Sequence, residues 1–420
     1  MDELDLADLN ILYTAFRRSM KGSSWKTEPQ RFERDFLTEL VNLKGEIRNR
    51  SFRTLPGSEF TLKERGKTRH IHGARMRDRV ERHALCDEVL NPALKPYLIH
   101  NNGASQKGKG LSFARRLFER DLHNYWLENR TNEGFVGFVD FSKFYDNIRH
   151  DKLRESIYPK IEDQARWLLD EILSTFEVDV SYMTDEEFSR CIEEKFNSVW
   201  YYEHIPKEAR TGEKLMPKSV NIGDQVSQDI GVFFPTRIDN YVTIVRGCRY
   251  YGRYMDDMYI ICRTREELES IIKGICEEAK ELGLFVNEKK TRICKLSDTY
   301  KYLQIKYSLT ESGKVIKRIN PEAMTRERRR MKAYKRQLDK GIMTYPEIEQ
   351  AIKSWMGDHV PIMSKKQVKN MKTLYQELFG KELIWKRKSH SKTVRRSPPK
   401  STATTTSPNR NPNSPKTSPS

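Results

Sequence analysis

The sequence has no Cys-x-x-Cys pair: Cys86, Cys191, Cys248, Cys262, Cys276 and Cys294 are scattered, and no His-rich pattern accompanies them. Zinc is therefore not expected, and the thiols read as reduced core residues of an intracellular chain. No apolar run approaches the ~18 residues that span a bilayer. The acidic start Met1-Asp2-Glu3-Leu4-Asp5 does not resemble a signal peptide. A cytoplasmic protein with no membrane partner is expected. The glycine- and lysine-rich loop over 101–110 lacks the spacing of a phosphate-binding P-loop, although its glycines would let a ligand approach the backbone closely.

What the chain has in excess is positive charge. Lys and Arg number 77 against 59 Asp and Glu, a net charge of +18 that favours polyanionic partners. Nine of the cations and no acid fall in 386–420, where Ser, Thr and Pro dominate, so a disordered basic tail is predicted there. At 420 residues the rest exceeds one usual core, and two or three subdomains are expected.

Over 249–263, two runs of aromatic and β-branched residues flank Met255-Asp256-Asp257, which predicts a tight β-hairpin with adjacent carboxylates at its tip. Alone, such a turn reads as a solvated surface hairpin. A second acidic strand end upstream changes that reading, because the apolar run Phe135-Val136-Gly137-Phe138-Val139 ends at Asp140. Two such strand ends side by side in one sheet could hold two divalent ions roughly 3.5–4 Å apart for in-line phosphoryl transfer.

Helical spacing predicts helices over 4–21, 28–48, 78–91 (with Asp78 as N-cap), 112–128, 152–176, 230–242 and 266–282. Alternation over 60–72 predicts two strands turning at Arg65-Gly66, with Lys67 and Arg69 on one face as a point charge and a fork suited to a triphosphate. Tyr145, five residues past Asp140, could close over a bound sugar, while Asp146 and Asn147 read as fixing local geometry. Residues 177–218 look like an insertion with its own helix and strands and no evident chemistry. The polar loop 219–228 opens a helix whose free N–H groups suit a nucleotide and template backbone. Short strands are predicted over 284–287, 291–295 and 302–309, and a lysine of Glu288-Lys289-Lys290 between the first two could donate a proton to pyrophosphate. Asn320-Pro321 caps a basic helix over 322–340 that includes Arg326, Arg329 and Arg330, with a further helix pair reaching Phe379.

Taken in order, these residues resemble the motifs of reverse transcriptases. The matching stretches are Lys67 with Arg69; Phe138-Val139-Asp140 with Tyr145; Ile222-Gly223-Asp224-Gln225-Val226-Ser227-Gln228; Tyr254-Met255-Asp256-Asp257; Leu282-Gly283-Leu284 with Lys290-Thr291; and Tyr302-Leu303-Gln304. They run over roughly residues 55 to 310. The resemblance implies an α+β right-hand polymerase with fingers, a palm of antiparallel sheet packed on helices, and a helical thumb. The expected division is an N-terminal helical region over 1–54, fingers over 55–135, palm over 136–310 with an insertion at 177–218, thumb over 311–385, and the tail.

By the same resemblance the chain is an RNA-directed DNA polymerase that makes cDNA by two-metal phosphoryl transfer. It would use two Mg2+ ions, with Mn2+ as a substitute, an RNA template, a DNA or RNA primer and dNTPs. Carried over by position, Asp140 and Asp256 are metal ligands and Asp257 a weaker contact. Tyr145 is the steric gate against a 2′-hydroxyl, and Lys67 and Arg69 hold the triphosphate. Gly223, Gln225, Ser227 and Gln228 position nucleotide and template, Lys290 neutralises or protonates the leaving pyrophosphate, and Arg326, Arg329 and Arg330 of the thumb contact nucleic acid.

Ile222-Gly223 followed by Ser227-Gln228 is similar to the enzymes of diversity-generating retroelements and to antiphage-defence forms of bacteria and phages. Intron-encoded members usually have Gln-Gly followed by Ser-Pro. A cognate noncoding RNA or an accessory protein belongs to that expectation. With no maturase-type zinc or endonuclease segment, RNase H domain or aspartic protease signature, a retroviral polyprotein product is not expected. Two alternatives share the same residues: a defence enzyme with template-independent or protein-primed synthesis, and a non-catalytic RNA-binding module. Against the module stands the acidic cluster itself, which, if unused, would repel nucleic acid from a basic groove.

Overall fold

The computed structural model describes residues 5–64 and 66–384. Arg65 and the expected basic tail fall outside the described residues. The strands are β1 (Ser58–Glu64), β2 (Lys67–Gly73), β3 (Phe135–Val139), β4 (Val178–Asp179), β5 (Leu215–Met216), β6 (Tyr251–Tyr254), β7 (Asp257–Cys262), β8 (Arg292–Lys295), β9 (Tyr300–Tyr302), β10 (Ile305–Leu309) and β11 (Val315–Ile319). The chain divides into two units, Met1–Thr325 and Arg326–Ser420.

The first unit is built on a four-stranded sheet of order β6-β7-β3-β8, with every neighbouring pair antiparallel. β3 is apolar at every position because helices cover both faces of the sheet. On one face lie Gly137 and Val139 with their cross-strand partners Ile260 and Met258, against the helix Arg265–Glu281. A Cβ on Gly137 would stand 2.9 Å from Leu268 Cδ1, so the helix sits this close only because that side chain is missing. On the other face Phe138 and Tyr259 meet Phe118 of the helix Leu111–Asn129, with ring centroids 6.1 and 4.7 Å away. Tyr300, Tyr302 and Tyr307, from the separate sheet β11-β10-β9, complete this aromatic layer around Phe118.

Several predicted elements divide where the sequence pattern runs on. The strand expected over 302–309 is a hairpin, β9 and β10, turning at Leu303 (φ 41°) and Gln304 (φ 71°). Two left-handed residues make the turn of a tight hairpin, but neither is the Asn or Gly that would announce it. Three helices, Leu9–Ser19, Thr27–Arg34 and Phe36–Arg48, replace the two expected at the N-terminus, because Asp35 leaves helical geometry. Helices His150–Ile157 and Asp163–Ser174 replace one over 152–176. The helix expected from residue 230 starts at Gln225 and stops at Phe233 ahead of Pro235. Asp78 is not an N-cap: it lies in the first turn of Met76–Leu85, fully buried, and accepts a hydrogen bond from the Leu55 backbone N–H at 3.1 Å.

The segment 177–218 closes on itself. β4 and β5 pair at its base, and Val178, Val180, Met183, Phe196 and Met216 form a small core. Buried Lys218 donates from Nζ to the carbonyls of Cys191 (2.9 Å) and Glu194 (2.8 Å), satisfying the C-terminal end of the helix Asp185–Glu193. Asp146 and Asn147 tie the segment to the sheet. Asp146 accepts from Ser198 N–H and Oγ, and the Asn147 amide exchanges hydrogen bonds with the backbone of Phe196.

In the second unit the helices Tyr345–His359 and Lys365–Phe379 each start with a capping box, Thr344 with Glu347 and Ser364 with Gln367. Tyr345 and Tyr375 join them through their hydroxyls at 2.6 Å. Arg326, Arg329 and Arg330 are exposed on the helix Pro321–Asp339, and Arg330 also pairs with Glu327 at 3.2 Å.

Candidate active site

β6 and β7 are joined by a two-residue turn, since Tyr254 pairs with Asp257 and only Met255 and Asp256 lie between them. Met255 has φ 55°, the left-handed first turn position that glycine usually takes. β3 pairs with β7 up to Val139 opposite Met258, so Asp140 and Asp257 are the next residues of each strand at the same sheet end. The hairpin and strand end predicted from sequence thus converge.

Three carboxylates in one place repel. Burial, and then the charge of Asp140, raises the pKa of the half-buried Asp256. Burial, Asp256 and Asp140 push the Asp257 carboxyl up to about 7. A cation relieves such a cluster, and one is already there: Lys290 Nζ lies 2.6 and 2.8 Å from the two Asp140 oxygens. Lys290 arrives beside Asp140 because residues 285–287 run along the end of β3, with Asn287 N–H donating to the Asp140 carbonyl at 2.7 Å. Lys67 also acts on Asp256 and Asp257, lowering their pKa values by its charge. Arg69 shares its strand face.

Tyr145 is half-buried in the turn after β3, with its hydroxyl 3.8 Å from Met255 Sδ and the charge of Asp256 bearing on it. A Cβ on Gly231 would lie 3.0 Å from that hydroxyl, so a residue without a side chain gives the ring its place. Gly231 belongs to the helix Gln225–Phe233, whose N-cap Asp224 accepts from Val226 N–H at 2.9 Å. Gly223 (φ 104°) faces β2, with Ile71 Cγ2 3.6 Å from where its Cβ would be. Gly223, Gln225 and Gln228 line a cavity of about 1460 Å³ that Arg18, Lys21, Lys107 and Lys109 make basic. The carboxylates do not line it; β2 and this helix, whose start lines the cavity and whose Gly231 meets Tyr145, are what the two regions share. Ser227 is buried and its hydroxyl has no hydrogen-bond partner, so it faces the interior and not that cavity.

Two supporting residues escaped the sequence reading. Arg253 is fully buried and forms a two-pronged pair with fully buried Asp239, Nε to Oδ1 at 2.8 Å and Nη2 to Oδ2 at 2.6 Å. Its remaining donors reach the carbonyls of Met255 (3.1 Å) and Val232 (2.9 Å), so one guanidinium braces the strained turn against the helix behind it. Tyr251 also donates to Asp239 at 2.6 Å. An arginine in an otherwise apolar strand, three residues before the first of the paired carboxylates, was the available signal. Arg82, also buried, pairs with Asp224 and so holds the cap of the helix Gln225–Phe233. Its partner lies 142 residues away, and nothing in the local pattern links them.

A helix-covered antiparallel sheet, with three carboxylates at one end beside a lysine and a tyrosine, defines a right-hand nucleotidyltransferase. Residues 62–307 match the family model described as reverse transcriptase (RNA-dependent DNA polymerase). The chain belongs to the reverse transcriptase family and is an RNA-directed DNA polymerase. No curated protein matches it in a sequence comparison. The family domain implies an RNA template, a primer and dNTPs as substrates and divalent metal ions as cofactors. Among the described residues no helix is long and apolar enough to cross a membrane.

Proposed function

We propose that the chain copies an RNA template into cDNA with Asp140, Asp256 and Asp257 as the metal-binding carboxylates. The observation that carries this reading is their convergence at one sheet end, where burial and then neighbouring carboxylate charge raise the pKa values of Asp256 and Asp257 and a lysine sits on Asp140. That donor set is all oxygen and fits hard cations. Two Mg2+ ions, or Mn2+ in their place, would supply the positive charge that offsets the charge developing in phosphoryl transfer.

The chain's own residues do the rest. Lys67 and Arg69 bind the triphosphate, and Tyr145 presses its ring against the sugar and excludes a 2′-hydroxyl. Gly223, Gln225 and Gln228 position nucleotide and template along the basic cavity, and Ser227 supports that helix from inside. Lys290 exchanges Asp140 for the leaving pyrophosphate and neutralises or protonates it. Arg326, Arg329 and Arg330 grip the nucleic-acid backbone.

In this reading the fingers are 55–135, the palm 136–310 with the insertion 177–218, and the thumb 311–385. The Ile222-Gly223 and Ser227-Gln228 pattern supports a bacterial or phage retroelement type. Sequencing the products made with and without a defined RNA template tests this. Products complementary to the template are expected, and products independent of it would replace this reading with template-free synthesis.

A further inference from the structure

His70 and His72 lie on the face of β2 opposite to Lys67 and Arg69, because side chains alternate along a strand. Glu59 of β1 stands directly across from His72 and shares that face. Glu59 Oε2 is 3.6 Å from His70 Nε2, and Glu59 Oε1 is 3.3 Å from His72 Nδ1. One donor atom from each residue falls within 4.8 Å of the other two. Tetrahedral Zn2+ with bonds of about 2.0–2.1 Å sets its donors about 3.3–3.4 Å apart, and each imidazole nitrogen lies near that distance from one oxygen of the Glu59 carboxylate. His70 Nε2 is also sealed from solvent, and the Glu59 carboxylate stands 3.6 Å from it, just beyond hydrogen-bond length.

We propose that Glu59, His70 and His72 form a binding site for a late first-row divalent cation, Zn2+ by its donor set, that clips the β1–β2 hairpin and seats it on the segment 177–218. The seat is visible in the rings: Tyr202 stacks on His70 at 3.8 Å and 10°, and Arg210 lies over Tyr202 at 5.0 Å. Fixing His70 therefore fixes Tyr202. Two imidazoles and one carboxylate leave a fourth position for water, and they prefer borderline metals where the all-oxygen carboxylate cluster prefers Mg2+. Arg210 and Lys207 oppose a cation here, and the Glu59 carboxylate offsets them. The sequence-based expectation of no zinc rested on the lack of a Cys-x-x-Cys pair and of a His-rich pattern; this site takes no cysteine and only two histidines, joined by a glutamate from the neighbouring strand. The consequence would be a hairpin held in shape as it presents Lys67 and Arg69.

The test uses the full chain carrying Asp256→Ala and Asp257→Ala, which disables the oxygen-donor site, titrated with Zn2+ in excess Mg2+. One Zn2+ per chain is expected, with affinity falling about 100-fold or more in Glu59→Gln and in His72→Gln, a loss beyond that of removing an outer-shell partner. Zn2+ should raise the melting temperature of the parent and not of either variant, while all three melt alike in a chelator, which shows that the variants fold. No stoichiometric binding, or binding unchanged in both variants as adventitious cysteine ligation would give, overturns the proposal. Because the readout is binding and melting, it succeeds or fails independently of polymerase activity.

Discussion

Replacing Arg253 by Met separates two jobs that this residue does at once. Both members of the Arg253–Asp239 pair are fully buried, at 0% exposure each. Removing one partner leaves an unpaired buried carboxylate at about 3–5 kcal/mol. At about 2.1 cal/mol/K per residue, the first unit of residues 1–325 unfolds with an entropy near 0.7 kcal/mol/K, so its melting temperature should fall by about 4–7 °C. Adding Asp239→Leu removes the stranded charge, and a buried ion pair replaced by apolar side chains is close to neutral. The Tyr251 hydroxyl then loses its acceptor, at about 1 kcal/mol. The double variant should therefore melt within about 2 °C of the parent. It still has no donor for the Met255 carbonyl, and a turn displaced by about 1 Å costs about 100-fold in rate. Scanning calorimetry with single-nucleotide incorporation reads both quantities. Recovered stability with kcat still about 100-fold down supports the brace, and recovery of both would show that Arg253 serves the fold alone.

Other perturbations reach the remaining groups. Tyr145→Ala should relax discrimination against rNTPs by about 10–200-fold, the range for one small group more or less in a binding pocket, whereas an unchanged dNTP/rNTP ratio would make Tyr145 a packing residue. Lys290→Ala removes a cation that sits on Asp140, so Mg2+ should bind more tightly while kcat falls about 100-fold for want of a proton donor. A metal titration of incorporation rates separates those effects, and an unchanged kcat would remove Lys290 from the chemistry. Deleting 386–420, with its nine cations, should leave melting unchanged and flatten the salt dependence of RNA affinity. The log–log slope should fall by about 0.7–0.9 for each phosphate that the tail had neutralised.

The carboxylate site was legible because its parts are local. Asp140 ends an apolar run and Asp256-Asp257 interrupt another, and both patterns are set by the pleat of β3 and β7, whichever way the remainder of the chain runs. Lys67 and Arg69 were legible from strand alternation. The braces were not. Asp239 lies 14 residues from Arg253, and the two meet only once a helix and the hairpin pack together. Similarly, Glu59 gave no sign of meeting His70 and His72, because cross-strand partners depend on register. Helix ends failed where a buried polar group decided them. Asp78 looks like a cap by residue type, yet tertiary burial gives it the Leu55 N–H instead. The division at Leu303-Gln304 was hidden because side-chain-bearing residues occupy left-handed positions that sequence rules reserve for Asn and Gly.

The central claim is that Asp256 and Asp257, facing Asp140, carry the chemistry. The direct measurement is dNTP incorporation on a primed RNA template by Asp256→Ala/Asp257→Ala, beside RNA affinity and melting of the same sample. Removing the ligands should abolish charge stabilisation of the transition state and lower incorporation by several orders of magnitude, with RNA affinity and melting retained. Incorporation that persists in a folded, RNA-binding double variant would contradict the account.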